Sequence, residues 1–181
     1  MVINSQQRIR IAAAPLERFL GEVQDMLRIP EGAVTVCLVP GQRIARWNRE
    51  YRGKAKATDV LSFPVNGEPG ESSKAKANAK DFYGGADPEV ACKSPRATSA
   101  HGAPKGTPKA KARAEANYLG DIAICPAVAQ RNAREFKRPL DAELRILILH
   151  GILHLLGYDH EKDTGQMERR EKKLRGRLGL A

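Results

Sequence analysis

The run His150-Gly151-Ile152-Leu153-His154-Leu155-Leu156-Gly157-Tyr158-Asp159-His160 carries three of the four histidines of the chain. On a helix, positions four apart are neighbours on one face, roughly 5–6 Å between Cβ atoms, so His150 and His154 aim two imidazoles at one point. Gly157 supplies the exit. Glycine readily takes the left-handed conformation that ends a helix, and the chain then folds back to bring His160 onto the same point. Three neutral imidazoles and one open position describe a catalytic zinc site rather than a closed structural one. The competing reading is a buried helix with hydrogen-bonded core histidines, since Leu149, Ile152, Leu153, Leu155 and Leu156 surround them. It serves readily for one histidine and less readily for three at this spacing. His101, alone in a polar stretch, is given no role.

The same string fits the H-x-x-x-H-x-x-G-x-x-H framework of the metzincin proteases, which carry Glu directly after the first histidine as general base. Here that position is Gly151. Glycine accepts no proton, so peptide hydrolysis by that route lacks its base, and the spacing alone leaves the reaction open.

Outward from this run, Pro139 or Leu140 opens the metal-bearing helix, and Pro126 suits the first turn of a preceding helix running to about Phe136. Thr164 begins a charged helix to about Arg177, whose interleaved charges suggest a solvated face. Upstream, periodicity places helices at Pro15–Leu27 and Gln42–Tyr51, and strands at Arg8–Ala12, Ala33–Val39, Asp59–Val65 and Leu119–Cys125. The expected fold is α+β. A small mixed sheet of about four strands packs with helices, and the three-histidine site sits on a long apolar helix and the loop after it.

Residues 66–117 interrupt this pattern with Gly, Pro, Ala, Ser and Lys, including repeated Lys-Ala steps. Such a composition buries too little apolar surface to offset chain entropy, so a disordered basic insertion within a single domain spanning 1–181 is expected. It is either a tolerated solvated loop or a basic arm attracted to phosphates. The formal net charge of +10 and pI near 9.8 favour an anionic partner, with nucleic acid the leading candidate. No segment approaches the ~18 apolar residues of a spanning helix and the N-terminus lacks a secretory apolar core, so no membrane partner and a cytoplasmic location are expected. Cys37, Cys92 and Cys125 form no C-x-x-C pair and indicate neither a disulfide framework nor a thiolate metal site.

Three blocks together resemble the YbeY family of bacterial metal-dependent endoribonucleases, also called rRNA maturation factors. They are the histidine run, Tyr51-Arg52-Gly53-Lys54-Ala55-Lys56-Ala57-Thr58-Asp59-Val60-Leu61-Ser62-Phe63-Pro64, and Leu119-Gly120-Asp121-Ile122-Ala123-Ile124-Cys125. The resemblance covers most of residues 8–64 and 118–175. It implies hydrolysis of single-stranded RNA, work on the 3′ end of small-subunit ribosomal RNA, and the ribosome or its assembly factors as partners. No small-molecule cofactor is implied.

The site then assigns itself as follows. His150, His154 and His160 bind one Zn²⁺ per chain. Gly53 permits a tight turn beside Arg52, Lys54 and Lys56, where a guanidinium can hold a phosphate bidentately. On residue type alone Arg52 is equally a solvated loop arginine; the resemblance places the matching arginine in the catalytic cleft. Asp121 and Asp159 either orient ligand imidazoles or serve strand-end and turn roles. Thr58, Asp59 and Ser62 stay outside the catalytic set, and no general base is identified. Two rival functions remain: a zinc peptidase of metzincin-like geometry, opposed by Gly151, and a non-catalytic ribosome-assembly protein with a structural metal, opposed by the open coordination position.

Overall fold

A computed structural model describes residues 1–65, 117–160 and 163–180. The insertion expected at 66–117 lies outside these residues except for Asn117. The elements follow the order β1 (Val2–Asn4), α1 (Ala13–Leu27), β2 (Val34–Leu38), α2 (Gly41–Arg52), β3 (Val60–Pro64), β4 (Gly120–Ile124), α3 (Pro126–Glu135), α4 (Leu140–Leu155) and α5 (Gln166–Arg177). The strands form one mixed sheet in the order β1-β2-β4-β3. β2 pairs in parallel with β1 and β4, and β3 closes against β4 antiparallel, with Pro64 opposite Gly120.

Alternation along the strands sorts the core into two layers, because successive side chains point to opposite faces. Val34, Val36, Leu38, Ile122 and Ile124 meet Leu16, Phe19, Leu20 and Val23 of α1 and Leu144, Ile148, Leu149, Ile152 and Leu153 of α4. Cys37, Leu61, Ala123 and Cys125 face the other way, onto Ile44 and Trp47 of α2. Each fully buried Leu or Ile of α4 contributes about 1.5–3 kcal/mol of apolar burial. The helix that carries two histidines is thus deeply seated, and it is acidic at its N-terminus (Asp141, Glu143), where the helix dipole favours negative charge.

The first strand corrects the sequence reading. Residues 8–12 alternate in exposure without joining the sheet, and Val2–Asn4 takes the β1 place beside Val36, Cys37 and Leu38. Gln6 explains the shift. Its amide receives Ile9 N–H at 2.9 Å and donates to Ile9 O at 2.8 Å, so both backbone groups of Ile9 are turned onto a local side chain rather than toward a neighbouring strand. Among the described residues no helix is long and apolar enough to cross a membrane.

Candidate metal centre

The exit from α4 is built as the sequence spacing predicts. Gly157 has φ +88°, Gly157 N–H bonds to His154 O at 3.0 Å and Tyr158 N–H to Leu153 O at 3.1 Å. This pair of bonds is the Schellman closure, which a glycine permits at no steric cost. It turns the chain back over the last helical turn and delivers His160. The ligand-competent atoms of His150, His154 and His160 all lie within 4.8 Å of one another. The ring centroids of His154 stand 4.7 Å from His150 and 5.2 Å from His160.

His150 Nε2 and His154 Nε2 approach to 3.1 Å. Two neutral imidazoles at a common tetrahedral centre with bonds of about 2.0–2.1 Å would stand roughly 3.3 Å apart, so the observed spacing fits a shared small cation. The protonation chemistry fits as well. Burial first, then the neighbouring His150 and His160, push the His154 pKa below its ordinary value, against the opposing pull of Asp159 and of a backbone hydrogen bond at Tyr158. A depressed pKa keeps the imidazole neutral, the form a metal requires. Among the described residues the group consists of these three histidines.

Gly151, which denies the metzincin route its base, has a packing reason. A Cβ built there would stand 2.8 Å from Ile122 Cγ2 and 2.9 Å from Ile122 Cδ1. Position 151 therefore points into the sheet at β4, and its glycine lets α4 settle onto the strand. Ser62 of β3 adds a polar tie, donating from Oγ to Gly151 O at 3.2 Å. A carboxylate at 151 would collide with the sheet instead of facing a ligand.

The sequence reading missed one residue, Glu171. Helix α5 is highly charged, yet Met167, Glu171 and Leu174 are buried, at the four- and three-residue steps of one helical face. Glu171 Oε2 lies 3.0 Å from His150 Nδ1, and its other oxygen, Oε1, accepts from Arg175 Nη2. Burial alone would raise its pKa, but the contacts with His150 and Arg175 outweigh it and hold the carboxyl below the usual range. The signal was present as the spacing Met-x-x-x-Glu-x-x-Leu; the interleaved lysines and arginines masked it.

Asp163 joins the two parts. Its carboxylate accepts from Gly165 N–H at 2.7 Å, Gln166 N–H at 3.1 Å and Met167 N–H at 2.8 Å, and its own N–H bonds to Asp159 O. Those backbone donors, that of Met167 foremost, pull its pKa down. The helix therefore starts at Gln166 rather than Thr164, fastened to the loop that carries His160.

Of the other sequence candidates, Arg52 ends α2 and is exposed, with Gly53 at φ +68° turning the chain toward β3. Asp121 accepts from Tyr118 Oη at 2.6 Å. Asp59 receives Thr58 Oγ1, Val60 N–H and Asn132 Nδ2, tying β3 to α3.

Comparison with known proteins agrees with this architecture. The family model described as Endoribonuclease YbeY matches residues 1–179. A protein named Endoribonuclease YbeY from Solibacter usitatus is 34% identical over 91% of this chain and 78% of its own length. Its counterpart from Koribacter versatilis is 32% identical over 99% of this chain and 86% of its own length. Among solved structures, the solution structure of TM1509 from Thermotoga maritima is similar, with a TM-score of 0.52 and 25% identity over 98% of this chain and 89% of that one.

Proposed function

The chain belongs to the YbeY endoribonuclease family, and on that basis we propose that it is a zinc-dependent endoribonuclease that cuts single-stranded RNA, with the 3′ end of small-subunit ribosomal RNA as its substrate. The ribosome or its assembly factors would be its partners, in the cytoplasm. The observation that carries the reading is the convergence of three imidazoles in a frame whose position 151 has no room for a peptidase base.

His150, His154 and His160 would hold the ion. When bound, zinc supplies Lewis acidity, drawing water toward ionisation near neutral pH and polarising a phosphoryl oxygen. The neutral state of His154, favoured by its burial, keeps that ligand available at neutral pH. Arg52 would hold the phosphate and answer the charge that develops on its oxygens. The excess of basic residues over acidic ones, 31 Lys and Arg against 21 Asp and Glu, draws the polyanion in. Glu171 does not serve as a base toward substrate, since both its oxygens are engaged behind His150.

The test is cleavage of an end-labelled single-stranded RNA by wild-type protein and by Arg52→Ala, with a denatured peptide substrate in parallel. Arg52→Ala is expected to retain zinc and fold and to lose RNA cleavage by 100-fold or so, the range of a lost charge-stabilising donor. Peptide cleavage, or undiminished RNA cleavage by Arg52→Ala, would overturn the reading for the substrate or for the arginine respectively.

A further inference from the structure

We infer that Glu171 is a positioning residue for the metal centre: it fixes His150 in the tautomer that carries its proton on Nδ1, and Arg175 fixes Glu171. The inference rests on the three histidines holding a metal, and it adds a helix to the site that none of the histidine motif predicts.

The argument begins with donor and acceptor inventory. An ionised carboxylate only accepts hydrogen bonds, and a neutral imidazole donates from one ring nitrogen alone. With Glu171 Oε2 at 3.0 Å from Nδ1, the proton of His150 belongs on Nδ1, and Nε2 is left with a bare lone pair. Nε2 is the atom that faces His154, at 3.1 Å. The carboxylate thus selects which nitrogen is offered to the cation and raises its basicity, the role that partners behind a ligand histidine fulfil.

Glu171 is itself held. Its second oxygen accepts from Arg175, one helical turn further along α5, in an i,i+4 pair. Glu171 is only 8% exposed, so a rotamer change would bury an uncompensated charge. The docking of α5 does not depend on this contact alone, because Met167 and Leu174 on either side of it are 0% and 2% exposed. Removing the carboxylate should therefore free the imidazole without releasing the helix. In the same way, Asp163 connects the start of α5 to the His160 loop, so one short helix backs both ends of the ligand set.

Two readouts test this. The first is the tautomer of His150 in zinc-free protein, from long-range ¹H–¹⁵N correlation spectra. Wild type is expected to show the Nδ1–H form, and Glu171→Ala a mixture with the Nε2–H form. The second is zinc affinity by competition with a chromogenic chelator. Glu171→Ala is expected to bind 10–100-fold more weakly, and Glu171→Gln, whose amide oxygen still accepts from Nδ1–H without the charge, to fall between it and wild type. A merely structural glutamate would lower the unfolding midpoint and leave the tautomer of the folded protein alone. An unchanged tautomer and unchanged affinity in folded Glu171→Ala overturn the proposal. If Glu171→Ala does not fold, Glu171→Gln decides: wild-type affinity there overturns it. A wild type that binds no zinc refutes the metal reading, whereas the tautomer measurement still judges Glu171 on its own.

Discussion

Replacing Gly151 by alanine sets two effects of known sign against each other. In a helix interior, alanine is more favourable than glycine by about 0.8–1.0 kcal/mol. Against this, the new Cβ would stand 2.8 Å from Cγ2, 2.9 Å from Cδ1 and 3.1 Å from Cγ1 of Ile122. Ile122 is fully buried in the strand between β2 and β3, and a β-branched side chain has little rotamer freedom with which to retreat. Overpacking of this kind costs about 1–3 kcal/mol, so Gly151→Ala should be destabilised by about 0–2 kcal/mol net. Because that window touches zero, the sharper quantity is a double-mutant cycle with Ile122→Ala, read from urea unfolding. Ile122→Ala alone removes a core side chain and should cost about 2–5 kcal/mol. In the double variant the collision is gone, and the combined loss should fall short of the sum by about 1–3 kcal/mol. Additive losses, with Gly151→Ala more stable than wild type by about 1 kcal/mol, would refute the claim that the glycine exists to seat α4 on β4. Gly151→Glu should then lose the fold rather than gain peptidase activity.

Acid should weaken the metal-free protein early. His154 has a folded pKa below its unfolded value of 6.5, so as pH falls the unfolded chain binds the proton first and stability is lost from about pH 6.5 down to the folded value. The urea midpoint of zinc-free wild type should drop across that window and that of His154→Gln should drop less; parallel slopes would contradict the assignment. The insertion should be dispensable for folding. Val65 N–H reaches Leu119 O at 3.0 Å and Pro64 lies opposite Gly120, so a short Gly/Ser linker in place of 66–116 spans a gap the sheet already closes. Zinc content and cooperative unfolding should survive, and if the basic stretch contacts phosphates, the salt dependence of RNA binding should flatten; failure to fold would show that the segment belongs to the core.

The parts of this molecule legible from sequence are those whose cause is local. The four-residue step from His150 to His154 and the exit at Gly157 follow from helix geometry and glycine's freedom, and both are found as read. β2, β3, β4 and the helices likewise lie where periodicity puts them, to within a few residues. What was missed depends on partners distant in sequence. The alternation at 8–12 resembles a strand, but pairing with β2 goes to Val2–Asn4, while Gln6 takes up the backbone N–H and O of Ile9 in the later segment. Glu171 stands 21 residues from His150, within a helix whose interleaved charges suggested a solvated face. Gly151 was legible as a missing base, while its positive reason, contact with Ile122, exists only once helix and sheet are packed.

The central claim is that the three histidines hold a metal on which RNA cleavage depends. Its most direct test is to strip the protein, return zinc in steps, and follow bound zinc and cleavage of single-stranded RNA on the same samples. The account predicts that cleavage rises with occupancy and saturates at about one zinc per chain, with His154→Ala neither binding nor cleaving. Stripped protein that cleaves as fast as reconstituted protein, or His154→Ala that matches wild type, would contradict it.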